Sequence, residues 1–121
     1  MNKILIVDDE YLISSWLEEA LQDEGHTVLV ASDADQAVTS LVLDEDIGLL
    51  FTDVDMPGSM NGMELASMVH DKWPAIGIIV ASGKPRPALP PLPNGAMFLR
   101  KPFRMEEVMD AMRDVERCGR A

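Results

Sequence analysis

Short unbroken apolar runs alternate along this chain with stretches whose apolar residues recur at helical spacing. Lys3–Asp8 carries Ile4, Leu5, Ile6 and Val7 without interruption, which predicts a strand buried on both faces. Leu12, Trp16, Leu17, Ala20 and Leu21 then recur every three to four residues and predict a helix that Gly25 stops. His26–Ala31, with Val28 and Val30 alternating, predicts a second strand. Asp33 and Gln36 form a capping-box pattern ahead of Ala37, Val38, Leu41 and Val42, the apolar positions of a second helix. Ile47–Thr52 is a third strand that runs into Asp53. Asn61 and Glu64 repeat the capping-box pattern before Met63, Leu65, Ala66 and Val69, with Pro74 just past that helix. Ile76–Ala81 and Ala96–Arg100 predict the last two strands. Met105, Val108, Met112 and Val115 form the buried seam of a final helix, with Glu106 and Glu107 in its first turn, where they suit the helix dipole.

Strands alternating with helices imply right-handed βαβ units and a parallel sheet covered on both faces. The expected fold is therefore α/β: a flavodoxin-like, doubly wound, five-stranded parallel sheet in the order 2-1-3-4-5. Its ligand site should lie beyond the carboxyl ends of strands 1 and 3. One helix is absent from the pattern. Gly83–Asn94 contains Pro85, Pro87, Pro90, Pro91 and Pro93, a spacing that no regular helix accommodates. The fourth helix is expected to be missing or reduced to a turn, with extended, polyproline-like backbone in its place.

Length and composition narrow the class. The 121 residues suit one domain over 1–121, with no output domain after the last helix. Apolar residues make up 47% and charged residues 26%, as in ordinary globular proteins. The apolar runs are too short to span a bilayer, and Met1-Asn2-Lys3 leads straight into a strand and not into a signal peptide. The lone Cys118 reads as a free thiol, which fits a reducing cytoplasm. A net charge of −11 speaks against direct nucleic-acid binding. His26 and His70 have no ligand partner at metal-site spacing and read as surface residues. Trp16 and Trp73 read as packing residues.

The chemistry lies in the polar residues that end the strands. Strand 1 ends in Asp8-Asp9, strand 3 in Asp53 with Asp55 two residues on, strand 4 in Ser82, and strand 5 in Lys101-Pro102. Each alone reads as a cap, a turn or a solvated residue, but the topology gathers all of them on one edge. Two carboxylates about 4 Å apart at an effective dielectric near 20 repel by roughly 4 kcal/mol, so the cluster calls for a cation. Hard oxygen donors suit Mg²⁺. A metal bordered by Ser82 and Lys101 can neutralise and bind phosphoryl oxygens, leaving Asp53 as the nucleophile.

These residues carry a family resemblance. Ile4-Leu5-Ile6-Val7-Asp8-Asp9-Glu10, Thr52-Asp53-Val54-Asp55-Met56-Pro57 with Gly62, Ala81-Ser82-Gly83 and Lys101-Pro102-Phe103 resemble, in order and spacing, the receiver domain of two-component response regulators. The resemblance spans essentially the whole chain. It implies that Asp53 is the phosphoacceptor, that Asp9 and Asp53 bind Mg²⁺ directly, that the Asp55 backbone carbonyl adds a ligand and that Asp8 acts through water. It further implies that Ser82 and Lys101 hold the phosphoryl group and that Phe98 stands in the place of the switch aromatic. The implied donor is a phosphohistidine on a sensor kinase or phosphotransfer protein, and a downstream protein target reads the result.

The chain departs from that family's pattern in three places. Gly58-Ser59-Met60-Asn61-Gly62 makes the loop after Pro57 one residue longer, and the proline segment replaces a helix that often carries the output surface. The third departure is Asp55 and Lys84, each two residues after a site residue; they are expected to pair and hinder the water that attacks the phosphoryl group. An alternative remains on the residues alone. Asp53-Val54-Asp55 after an apolar strand also resembles the paired aspartates of haloacid-dehalogenase-type phosphatases.

Overall fold

In a computed structural model describing residues 3–118, ten elements follow in order: β1 (Lys3–Val7), α1 (Tyr11–Asp23), β2 (Val28–Ala31), α2 (Ala34–Leu43), β3 (Ile47–Asp53), α3 (Gly62–Lys72), β4 (Gly77–Ser82), a 3-10 turn (Arg86–Ala88), β5 (Met97–Arg100) and α4 (Met105–Cys118). The strands form one parallel sheet in the order β2-β1-β3-β4-β5, as the sequence pattern predicts.

The unbroken apolar runs are explained by burial on both sides. Alternate residues of each central strand face opposite layers. Leu5, Val7, Leu50, Ile78 and Val80 pack with Ala37 and Leu41 of α2 and Leu65, Ala66 and Val69 of α3. Ile4, Ile6, Phe51 and Ile79 pack on the other face with Leu17 and Leu21 of α1 and Val108, Met112 and Val115 of α4. The methionine seam of the last helix is thus core, as expected.

Several boundaries shift for reasons of hydrogen bonding. β2 begins at Val28, not His26, because the preceding residues close α1. Gly25, at φ +93°, donates its N–H to Gln22 O, and His26 donates to Leu21 O, a Schellman closure that uses glycine's access to positive φ. The capping box at Asn61 is complete, with Asn61 and Glu64 each accepting the other's backbone N–H. At Asp33 only half forms. Asp33 accepts from Gln36 N, but the Gln36 side chain accepts from Ser32 N and Ser32 Oγ.

The apolar stripe of α1 also differs from expectation. Ser14, Leu17 and Leu21 face the sheet, whereas Leu12 is 83% and Trp16 45% exposed. The residues one turn apart at 12 and 16 point away from the sheet. Trp16 instead leans on Phe103, ring centroids 6.0 Å apart, in the loop before α4. Trp73 packs on the α2/α3 layer as expected. Val42, placed in the α2 stripe by spacing, is likewise exposed. His26 and His70 are half-buried and not exposed, and His26 Nδ1 is buried without a partner among the described residues. The Cys118 side chain lies outside the described residues.

The expected loss of the fourth helix is borne out. Between β4 and β5 the only regular element is the 3-10 turn, followed by an irregular strap in which Leu89 is extended and Ala96 N donates to Pro93 O to close a turn before β5. Leu89 and Leu92 pack the strap against the α2/α3 layer, and Arg86 Nη1 donates to Pro90 O at 3.1 Å.

Candidate functional site

The site forms where β1, β3, β4 and β5 end. Asp8 and Asp53 follow apolar strands straight out of the core and are each only 5% exposed. Lys101, the first residue after β5, reaches back over them. Its Nζ lies 3.0 Å from Asp53 Oδ1, 3.3 Å from Asp8 Oδ2 and 3.4 Å from Glu10 Oε1. The backbone fixes this reach, because Lys101 N donates to Ser82 O at 2.8 Å and so ties the end of β5 to the end of β4. The Lys101-Pro102 peptide bond is cis.

Each carboxylate has its own setting. Asp8 Oδ1 accepts the Glu10 N–H at 2.9 Å, which folds the chain back at the start of α1. Asp53 is held from both sides. Val54 N donates to Ala81 O, and Gly62 N donates to Val54 O. Gly62 opens α3 so close to β3 that a Cβ there would fall 1.8 Å from Asp53 O. Only glycine permits that approach, which brings the α3 N-terminus against the end of β3. Ser82 is fully buried, and its Oγ accepts the Lys84 N–H at 3.0 Å.

Burial and crowding set the protonation behaviour. Burial pushes Asp53 up to about 6; Lys101 opposes this, and the charges of Asp8 and Asp55 add to it. Burial also raises Asp8, partly offset by the Glu10 N–H and by Lys101. For Lys101, burial acts downward, but the hydrogen bond and charge of Asp53 together with the charge of Asp8 outweigh it and leave the ammonium raised. Ligand atoms of Asp8, Glu10 and Asp53 all lie within 4.8 Å of one another. Three carboxylates around one ammonium leave an excess of negative charge that a divalent cation with oxygen preference would neutralise.

The structure thus brings Asp8, Asp53 and Lys101 into contact and sets Ser82 beside them. Asp9 is exposed and is not among the three carboxylates that share one space. Glu10 is among them. Sequence reasoning assigned Glu10 no role, and the available signal was its place two residues after Asp8, where the turn into α1 reverses the side chain. Asp55 and Lys84 meet at 3.5 Å, their side chains 60% and 58% exposed. Phe98 is half-buried on β5, in register with Val80. The longer loop is fastened to α2, where Ser59 Oγ donates to Asp35 Oδ1 at 2.7 Å.

Comparison with known proteins agrees with this geometry. The family profile described as the response regulator receiver domain matches residues 4–113. The transcriptional regulatory protein CpxR of Escherichia coli (strain K12) is 37% identical over 119 residues, which cover 97% of this chain and 50% of that protein. The transcriptional regulatory protein TcrA of Mycobacterium tuberculosis (strain H37Rv) is 32% identical over 120 residues, 97% of this chain and 47% of that one. The chain therefore spans about half the length of these curated relatives. Among solved structures, the response regulator TrrA of Thermotoga maritima, in complex with Mg²⁺–BeF, superposes with a TM-score of 0.80 at 26% identity, covering 95% of this chain and 99% of that one. The chemotaxis response regulator CheY4 of Vibrio cholerae gives 0.82 at 25% identity, covering 95% and 98%.

Proposed function

This chain belongs to the response regulator receiver domain family, and from that membership we propose that Asp53 accepts a phosphoryl group from a phosphohistidine donor and so switches the domain's surface. The family match leaves the haloacid-dehalogenase-type phosphatase reading without support. The observation that carries the proposal is the Lys101 ammonium held between two buried carboxylates, 3.0 Å from Asp53 and 3.3 Å from Asp8.

Asp53 Oδ attacks the phosphorus of the donor, forming an O–P bond as the P–N bond to the donor imidazole breaks. The donor's nitrogen keeps the electron pair. Lys101, already over the carboxylate, turns to a phosphoryl oxygen and stabilises its charge. Ser82 Oγ, which accepts the Lys84 N–H, keeps its own proton to donate to a second phosphoryl oxygen. Asp8 and Asp53, with Asp9 and the Asp55 backbone carbonyl, would hold Mg²⁺, and Glu10, which shares the space of Asp8 and Asp53, would add a further oxygen beside them. Bound there, Mg²⁺ supplies neutralisation of the crowded carboxylates and of the transferring group.

The added group brings about −1.5 to −2 charges at neutral pH. It draws Ser82 and Lys101 inward, and Phe98 on the neighbouring strand follows the space that Ser82 leaves. The domain promotes its own phosphorylation and dephosphorylation but turns over no separate substrate. Residues 1–121 act as one receiver unit whose upstream partner is a sensor histidine kinase or histidine phosphotransfer protein and whose output is a protein target. Among the described residues no helix is long and apolar enough to cross a membrane. The setting we infer is cytoplasmic, with no direct contact to nucleic acid.

Incubation with Mg²⁺ and, in separate arms, acetyl phosphate or an ordinary phosphomonoester, with phosphate release followed over time, tests the reading. A receiver takes up about one phosphoryl group per chain and then releases it slowly. Continuous release of many phosphates per chain from an ordinary phosphomonoester would overturn it.

A further inference from the structure

Beyond the end of β3 the nine residues from Val54 to Gly62 form a closed loop. Gly62 N donates to Val54 O at 2.8 Å, so the two ends meet, as in an Ω-loop. Asp55, whose backbone carbonyl would serve Mg²⁺, is the second residue of this loop. Its position therefore depends on how firmly the rest of the loop is held.

The middle of the loop rests on α2 and α3. Met56 and Met60 are half-buried against the α2/α3 layer. Gly58 lies beside Asp33, where a Cβ would stand 3.9 Å from Asp33 Cβ. Between Met56 and Met60 only Ser59 carries a side-chain hydrogen-bond donor. That hydroxyl donates to Asp35 Oδ1 at 2.7 Å, 24 residues away in the chain. Asp35 is a firm anchor. It stands in the first turn of α2, where the helix dipole favours a carboxylate, and the buried Ala34 and Ala37 fix that turn on the sheet. A hydroxyl bound to a carboxylate is a charge-assisted hydrogen bond. Both residues are exposed, so water competes for each partner and the bond adds little to global stability.

We propose that Ser59 and Asp35 are positioning residues for the metal: their bond fixes the loop on α2, holds the Asp55 carbonyl in place before the ion arrives and so strengthens Mg²⁺ binding. The inference rests on the reading that this carbonyl serves Mg²⁺. Neither residue belongs to the set that would hold the ion. They act by preorganisation. A free loop loses part of its binding free energy to ordering, whereas a loop already fastened does not.

The test titrates Mg²⁺ into the unphosphorylated, metal-free full chain. Affinity is read by calorimetry and by the backbone amide shifts of residues 53–62. Ser59→Ala and Asp35→Asn should each weaken Mg²⁺ binding by about threefold to tenfold. The metal-free melting temperature should stay within about 2 °C of wild type, as for an exposed bond. Ser59→Ala removes no charge, so its loss is not a weaker long-range attraction for the cation. Ser59→Thr keeps the hydroxyl and should bind Mg²⁺ as the wild type does. The double variant Ser59→Ala/Asp35→Asn should lose no more than either single variant, because the two changes break one bond. Full affinity in both single variants would overturn the inference. So would losses that add in the double variant, or Ser59→Thr binding as weakly as Ser59→Ala. A wild type that binds no Mg²⁺ at all would overturn the metal reading itself, and this inference with it.

Discussion

Lys101 holds its ammonium 3.0 Å from the Asp53 carboxylate, with Asp8 a further contact at 3.3 Å. The lysine side chain is only 14% exposed, so this ammonium neutralises two nearly water-free carboxylates. Removing one partner of a buried ion pair costs about 3–5 kcal/mol when the other must stay charged. Here the carboxylates can take up protons instead. Lys101→Ala should therefore destabilise the metal-free protein strongly at pH 8 and much less at pH 5, measured by urea unfolding at both values. Equal losses at both would show that the lysine acts through packing alone.

The raised Asp53 gives a second pH effect of definite sign. Its folded value, about 6, lies above the ordinary 3.8, so the folded state binds this proton more tightly than the unfolded chain does. Asp8 is raised as well. Stability of the metal-free protein should fall as pH rises from about 4 to about 6 and level off above. Asp53→Asn should flatten that slope. Millimolar Mg²⁺ at pH 7.5 should raise the melting temperature of the wild type, because it binds the folded state only. A stability that rises across this window would contradict the burial argument.

Gly62 provides a steric test. A methyl group there falls 1.8 Å from Asp53 O and 2.6 Å from the carbonyl carbon. Backbone cannot yield as a flexible side chain does, so Gly62→Ala should lose about 3 kcal/mol or more by chemical denaturation. In whatever folds, phosphorylation should slow as Asp53 is displaced. Wild-type stability would mean that α3 can open away from β3.

The Asp55–Lys84 pair separates a kinetic role from a structural one. Two exposed partners at 3.5 Å contribute well under about 1 kcal/mol. Lys84→Ala and Asp55→Asn should leave the melting temperature nearly unchanged yet shorten the lifetime of the phosphoryl group, read by its decay after excess donor is removed. Unchanged lifetimes in both variants would remove these residues from any role in shielding the site.

The strand order and the meeting of Asp8, Asp53 and Lys101 at the strand ends were legible because they depend on periodicity and topology. Continuous runs such as Ile4–Val7 identify doubly covered strands, and the order of connections then dictates which ends converge. The missing fourth helix was legible because prolines act locally through φ. Three features were not. Leu12 and Trp16 share the helical spacing of Leu17 and Leu21, and spacing alone does not say which of two adjacent stripes meets the sheet. Glu10 joins the carboxylates only because the Glu10 N–H to Asp8 bond folds the chain back. The loss of His26 from β2 depends on Gly25 closing α1, which takes the His26 N–H for Leu21 O.

The central claim is that Asp53 carries the phosphoryl group, and the mass of the intact protein tests it most directly. After acetyl phosphate and Mg²⁺, the wild type should gain one phosphoryl group, while Asp53→Asn, folded by circular dichroism, should gain none. Equal gain in both, or none in the wild type with the metal present, would contradict the account.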